Sequence, residues 1–140
     1  MSIPPFHLAF PVDDLDAARR FYGGVLGCPE GRSSDHWIDF DLFGHQIVAH
    51  LDEDGKRSEP RNDVDGDAIP VFHFGAVLDF DRFDELAAKL KAADAHFLVE
   101  PRTRFAGQPG EQRTMFVTDP AGNALEFKAF ASPDRIFATD

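Results

Sequence analysis

The 140-residue sequence predicts an α+β fold of two tandem βαβββ modules, and three observations carry that expectation. A strand-helix-strand pattern occurs twice, on either side of an acidic, apolar-poor stretch at Asp52 to Pro70. In each half a strand histidine precedes an aspartate by six residues, His7 to Asp13 and His73 to Asp79. In each half a turn glycine, Gly44 or Gly122, opens the last strand.

The elements follow in order. Phe6 to Val12 is short, apolar and closed by Asp13-Asp14, as a strand feeding a helix N-cap is. From Leu15 the apolar spacing changes to three and four, which puts Leu15, Ala18, Tyr22, Val25 and Leu26 on one face of a helix of about three turns. Gly27 stands where a positive φ is wanted at its end. A short strand is expected around Glu30 to Ser33. Trp37 to Leu42 alternates as a half-buried strand does, Phe43-Gly44 turns the chain, and His45 to Leu51 forms the next strand. Asp52 to Pro70 holds seven acids, three bases, two glycines and two prolines, and reads as a solvated linker. The single domain 1–140 therefore divides into module one at 5–51, a linker at 52–70 and module two at 71–131. Module two begins with a strand Val71 to Leu78 and a helix in which Phe83, Leu86, Ala87 and Leu90 share a face. A strand at His96 to Val99, a polar loop at Arg102 to Glu111 and a strand at Arg113 to Thr118 come next. The turn Asp119 to Asn123 leads into the last strand, Ala124 to Phe130.

The halves superpose by spacing as well as by content. Gly44 follows His7 by 37 positions and Gly122 follows His73 by 49, so the second half is 12 residues longer, the length of Thr103 to Thr114. The alignment sets Val48 opposite Glu126 and His50 opposite Lys128.

Composition narrows the function. Hydrophobic residues make up 43% of the chain, enough for a core without disulfides, and the one cysteine, Cys28, excludes an internal disulfide and any multi-cysteine zinc site. Lys plus Arg number 14 against 25 Asp plus Glu, a formal charge of −11, so no nucleic-acid or anionic-membrane partner is expected. No apolar run approaches the length of a membrane span and the start lacks a signal-peptide pattern, which points to a cytoplasmic protein.

Side chains of equal parity share a strand face. His7 shares its face with Ala9 and Pro11, His73 with Gly75 and Val77, and Glu126 with Ala124 and Lys128, so small or modest neighbours leave room beside each. Two imidazoles and one carboxylate form the triad suited to Fe(II), with Mn(II) or Zn(II) as alternatives. Singly, each residue reads as structural. The repeat changes the balance, because His7 and His73 occupy matching positions on the two first strands.

At this point the sequence resembles the vicinal oxygen chelate superfamily of glyoxalases, extradiol dioxygenases, thiol transferases and bleomycin-binding proteins. The likeness rests on His7 to Val12 with the following Ala17 to Gly27, and on Asp119 to Glu126. It implies curled mixed sheets enclosing a metal-binding cup, with His7, His73 and Glu126 as ligands, a small-molecule substrate and a homodimer. Glyoxalase-type members place a fourth ligand where this sequence has Val48, so the resemblance favours the three-ligand branches. The runs Gly27 to Ser34, Trp37 to Phe40 and Phe43 to Gln46 are most similar to proteins classed as extradiol-type dioxygenases. The leading expectation is thus an Fe(II) dioxygenase acting on an aromatic diol. The alternatives are a glyoxalase-like lyase or thiol transferase with Mn or Zn, and a binding protein that sequesters a small molecule.

Ring opening also needs an acid–base group. His50 has the right type, and it reads equally as a proton shuttle in the cup and as a rim histidine at a strand end. Gln46 is expected to donate to substrate, and Lys128, Arg104 and Arg113 are candidate anchors for a carboxylate or phosphonate. His45 reads as a turn residue, His36 and His96 as structural, Tyr22 as core and Cys28 as a spectator thiol that could be exposed. The loop Arg104 to Glu111 reads as a lid over the cup.

Overall fold

The computed structural model describes residues 3–54, 61–64 and 66–139. The chain forms two compact units, residues 1–58 with 119–123, and residues 59–118 with 124–140.

In the first unit β1 (His7–Val12) runs to Asp14, whose carboxylate accepts from the Ala17 N–H and so caps α1 (Leu15–Ala18). The helix then widens into a π-helical segment, Arg19–Val25, with the Leu26 N–H donating to the Phe21 carbonyl. Phe21, outside the expected apolar face, is buried together with Ala18, Tyr22 and Leu26. Gly27 leaves the helix at φ 75°, as its position required. Three strands follow, β2 (Glu30–Ser33), β3 (Trp37–Leu42) and β4 (His45–Leu51), and the sheet order is β1-β4-β3-β2. Cys28 is buried, not exposed, and its N–H donates to the Tyr22 carbonyl.

The turn Asp119–Asn123 belongs to this unit through a buried polar network. The Tyr22 hydroxyl donates to Asp119 Oδ2 at 2.7 Å, and Asn123 Nδ2 donates to the same oxygen and to the Pro11 carbonyl. Asp119 Oδ1 accepts from the backbone N–H groups of Ala121 and Asn123. Burial pushes the Asp119 carboxyl above its ordinary value in spite of these donors. Burial, with Asp119 beside it, pushes the Tyr22 phenol well up, so it remains a donor.

In the second unit β5 (Arg61–Val64) and β6 (Asp67–Pro70) form an antiparallel hairpin that turns through Gly66 at φ 88°. Then come β7 (His73–Leu78), α2 (Phe80–Ala92), β8 (His96–Arg104), β9 (Gln112–Thr118) and β10 (Ala124–Phe130), with a 3₁₀ turn at Pro133–Arg135. The sheet order, β7-β10-β9-β8, repeats that of the first unit. Asp79 caps α2 by accepting from the Arg82 N–H, and the helix buries Phe83, Leu86, Ala87 and Leu90 as its periodicity predicted.

Two expectations need correction. Part of the expected linker, residues 61–64 and 67–70, forms the paired strands β5 and β6; the pair docks because Ile69 buries against Val99 and Phe116 while Asp67 pairs with Arg102 at 2.9 Å. Residues 55–60 and 65 of that linker lie outside the described residues. The expected loop from Arg102 is shorter, because β8 continues to Arg104 through register shifts between Phe97 and Arg102. As an edge strand, β8 accommodates Pro101 without losing a ladder donor.

Each sheet is mixed, and the register bears out the spacing alignment. In the parallel pair β1–β4, His7 stands opposite Gln46, and in β7–β10, His73 stands opposite Ala124. Counting two residues on, Ala9 faces Val48 and Gly75 faces Glu126. Val48 and Glu126 are therefore equivalent positions, as are His50 and Lys128.

Candidate metal centre

Glu126 sits mid-strand on β10, with β7 on one side and β9 on the other. Its approach to β7 depends on Gly75, since a Cβ there would collide with the Glu126 carbonyl. Thr114, 3% exposed and on β9, donates its hydroxyl to Glu126 Oε2 at 2.7 Å, and Lys128 Nζ lies 3.9 Å from the same oxygen. Oε1 is left to point at His73, whose Nε2 is 3.4 Å away. Burial raises the Glu126 carboxyl, but hydrogen bonds from His73 and Thr114 and the charges of Lys128 and His73 outweigh it and hold it below its ordinary value.

The His73 ring is fixed on three sides. Its Nδ1 lies 3.0 Å from the Pro70 carbonyl, its ring edge packs on Phe116 at 5.2 Å, and Nε2 faces Glu126. A carbonyl only accepts, so Nδ1 carries the proton, and in the neutral ring Nε2 presents a lone pair to Oε1. Two acceptors facing each other need a cation between them, a proton or a metal. The hydrogen bond to Glu126 raises the His73 pKa; burial opposes it and the Pro70 carbonyl supports it. The spacing also suits a metal, because ligands each about 2.1 Å from one ion stand about 3.0–3.4 Å apart at angles of about 90–110°. The pair lines a cavity of about 180 Å3 with Gly75, Ala76, Val77 and Lys128.

In the first unit His7 is exposed and its Nδ1 lies 2.7 Å from Gln46 Oε1, while Gln46 Nε2 donates to Asp39 Oδ2 at 3.2 Å. The amide oxygen only accepts, so His7 carries its proton on Nδ1 and presents Nε2, the same tautomer as His73. Both histidines thus have one nitrogen anchored and the other available. Among the described residues, neither unit by itself gathers three His, Cys, Asp or Glu side chains into a metal-binding group.

Residues 5–127 match the model of the Glyoxalase/Bleomycin resistance protein/Dioxygenase superfamily. The chain belongs to this superfamily. It is 27% identical over 130 residues to the metallothiol transferase FosB of Lysinibacillus sphaericus, spanning 93% of this chain and 84% of the relative. A solved glyoxalase/bleomycin resistance protein/dioxygenase from Alicyclobacillus acidocaldarius is 34% identical, with a TM-score of 0.77 and 96% coverage of both chains. The fosfomycin resistance protein FosX of Listeria monocytogenes shares the fold at 19% identity, with a TM-score of 0.72, covering 97% of this chain and all of that one. Membership of the glyoxalase/bleomycin resistance/dioxygenase superfamily, with a metallothiol transferase among its relatives, points to a metal-dependent enzyme.

Within this superfamily fold the other expected site residues separate. Gln46, expected to contact substrate, is engaged by His7 and Asp39. Arg113, expected as an anion anchor, faces the helix: it makes two hydrogen bonds to Asp84 at 2.8–2.9 Å and stacks 3.9 Å over the Phe80 ring. The reason is parity, since Arg113 is one residue from Thr114 and points to the opposite face. His50 is exposed near the end of β4, between Pro11 and Trp37 in the ladder. His45 accepts from the Phe6 N–H, and His96 pairs with the Thr118 hydroxyl. Arg104 and Lys128 line a second cavity in their unit together with Phe105, Gln108, Pro109 and Gly110. Sequence reasoning missed Thr114, Asp39 and the Pro70 carbonyl. Thr114 had a signal, two residues along β9 from Phe116 on the face of Glu126; the Pro70 carbonyl had none. No helix among the described residues is long and apolar enough to cross a membrane.

Proposed function

We propose that the protein is an extradiol-type dioxygenase whose Fe(II) is held by His7, His73 and Glu126. The observation that carries this reading is the His73–Glu126 pair, two acceptor atoms 3.4 Å apart, each fixed by partners on its far side. When bound, Fe(II) would hold both substrate oxygens and activate O2, and Val48 at the fourth-ligand position leaves coordination places open for them. The chain's own residues prepare the site. The Pro70 carbonyl and Gln46 keep the two imidazoles in the tautomer that exposes Nε2, and Thr114 with Lys128 restrains Glu126 Oε2 so that Oε1 is presented. The test is anaerobic reconstitution with Fe(II) followed by oxygen consumption on a panel of catechols. Retained iron with O2 uptake on at least one catechol is expected; no retained iron and no uptake on any diphenol overturns the reading.

A second reading, metal-dependent thiol addition, is favoured by the 27% identity to metallothiol transferase FosB across 93% of this chain. It predicts that protein loaded with Mn(II) or Zn(II) adds a thiol to an electrophilic acceptor such as fosfomycin without O2, so acceptor-dependent thiol loss under anaerobic conditions separates it from the first reading.

A further inference from the structure

We propose that Asp39 is a positioning residue for His7: acting through the Gln46 amide rather than on the ring, it fixes which imidazole nitrogen His7 presents. The inference deepens the proposed metal site and rests on that reading only for the effect on metal; the tautomer stands or falls without it.

The need for a third group comes from the chemistry of the two anchors. His73 is held by the Pro70 carbonyl, which only accepts, so its Nδ1 carries the proton whatever else surrounds it. His7 is held by a primary amide, which offers either an acceptor or a donor. With Oε1 toward the ring, Nδ1 carries the proton and Nε2 keeps its lone pair. With the amide rotated by half a turn, its NH2 donates to Nδ1, the ring proton sits on Nε2, and the lone pair that a metal would use is lost. The amide by itself therefore leaves the tautomer open.

Asp39 closes it. Gln46 Nε2 donates to Asp39 Oδ2 at 3.2 Å while Gln46 Oε1 lies 2.7 Å from His7 Nδ1. A carboxylate only accepts, so the half-turn would set the amide oxygen against the carboxylate oxygen and make that contact repulsive. The ladder brings the groups together: Asp39 stands opposite Val48, two residues from Asp41, which is the direct partner of Gln46, so acid and amide share a face at diagonal reach. Asp41 is occupied in the turn, where its Oδ1 accepts from the Gly44 N–H. A Cβ at position 31 would lie 3.3 Å from Asp39 Cβ, so a glycine on β2 lets that strand pass close beside the acid.

The second sheet supplies the comparison. Ala124 stands opposite His73 and Phe116 opposite Glu126, in the places that Gln46 and Asp39 take in the first sheet. Where a backbone carbonyl fixes the imidazole, both places are apolar. Where a reversible amide does so, an acid stands behind it, and the two form a relay to the ring.

Nitrogen-15 NMR of the full-length, metal-free protein at about pH 8, above the ordinary imidazole range, reads the tautomers directly. Wild-type His7 is expected in the Nδ1–H form. Asp39→Asn, which offers the Gln46 amide a donor as well as an acceptor, is expected to move His7 toward a mixture while His73 stays as it was. The shift is partial, since Gln46 is exposed and water competes for its amide. Gln46→Glu separates the relay from a merely structural role, because a carboxylate accepts in either orientation: in Q46E/D39N, which keeps the net charge, His7 is expected back in the Nδ1–H form. Zn(II) affinity, read by competition with a chelator, is expected to fall about two- to tenfold in D39N, because only the competent tautomer binds, and to recover in the double variant.

A wild-type His7 in the Nε2–H form or mixed, an unchanged His7 spectrum in folded D39N, or an equal shift in Q46E/D39N overturns the assignment. If D39N does not fold, Asp39→Ser takes its place with the same expectations, and the wild-type spectrum decides in any case. Unchanged Zn(II) affinity beside a shifted tautomer overturns the metal reading of His7 and not the relay. Because the tautomer is read without metal, a failure here leaves the Fe(II) result untouched, and a failure to retain iron leaves this one standing.

Discussion

In the first sheet β1 lies against β4 with Ala9 opposite Val48, and in the second β7 lies against β10 with Gly75 opposite Glu126. Strand order and pairing sense are the same, and a histidine begins each first strand. What differs is the support around the histidine. His7 faces Gln46 across the ladder and uses its amide, whereas His73 faces Ala124, which has nothing to offer, and uses the Pro70 carbonyl of the β5–β6 hairpin instead. The carboxylate position diverges further. Thr114, which holds Glu126, occupies the ladder place that Trp37 fills in the first sheet. A duplicated backbone therefore supplies equivalent addresses, and the neighbours of each address decide whether it can do chemistry.

Making the two sheets alike should have the largest effect. Glu126→Val copies the first unit's residue into the second, and metal retention is expected to fall more than about 100-fold, since loss of outer-shell partners alone costs about 10- to 100-fold. Elemental analysis after equilibrium dialysis reads this, and retention within about threefold of wild type would remove Glu126 from the ligand set.

The glycine contrast comes next. Gly75→Ala drives a Cβ into the Glu126 carbonyl and is expected to cost about 1–3 kcal/mol or more in urea unfolding. The matching exchange Ala9→Gly should cost only about 0.5–1 kcal/mol, the entropy of a freer backbone in a strand. Equal costs would mean that the two strand pairs do not differ in closeness.

Gln46→Leu removes the partner of the His7 Nδ1–H. Nitrogen-15 NMR of the metal-free protein should show His7 moving from the Nδ1–H form toward a mixture of tautomers while His73 stays as it was. Metal affinity should fall about tenfold, the lower end for such partners. An unchanged His7 spectrum would break the relay assigned to Asp39 and Gln46.

The smallest effect is in pH. His73 has its pKa raised by its bond to Glu126, so its contribution to stability is complete below the ordinary imidazole value of 6.5 and is lost as pH rises through the folded value. Glu126 has its pKa lowered, so its contribution is complete above the ordinary carboxyl value of 4.5 and is lost as pH falls through the folded value. The metal-free chain should gain most from the pair between 4.5 and 6.5, by about 1 kcal/mol or less. Thermal unfolding of wild type against Glu126→Gln should diverge in that window, and parallel curves would show that the two groups do not interact.

The sequence by itself determined the repeat, because alternation and helical spacing are local and each half carries its own copy. It therefore located nearly every strand, the apolar face of α2 and the equivalence of Val48 with Glu126. It also marked His73 and Glu126 as candidates beside small neighbours on their strand faces, since parity follows from the backbone's period of two. Tertiary structure decided what those periods do not encode. The polar composition of residues 61–64 and 67–70 hid a hairpin that docks through buried Ile69 and delivers a backbone carbonyl to His73. Arg113 turned away from the site because the ladder set its neighbour Thr114 on the face of Glu126 and so put Arg113 on the opposite face. Gln46 gained a histidine partner because the ladder set it opposite His7. Such outcomes depend on which groups meet across the chain, and a carbonyl, a missing Cβ or a neighbouring amide leaves no mark in the periodicity of its own segment.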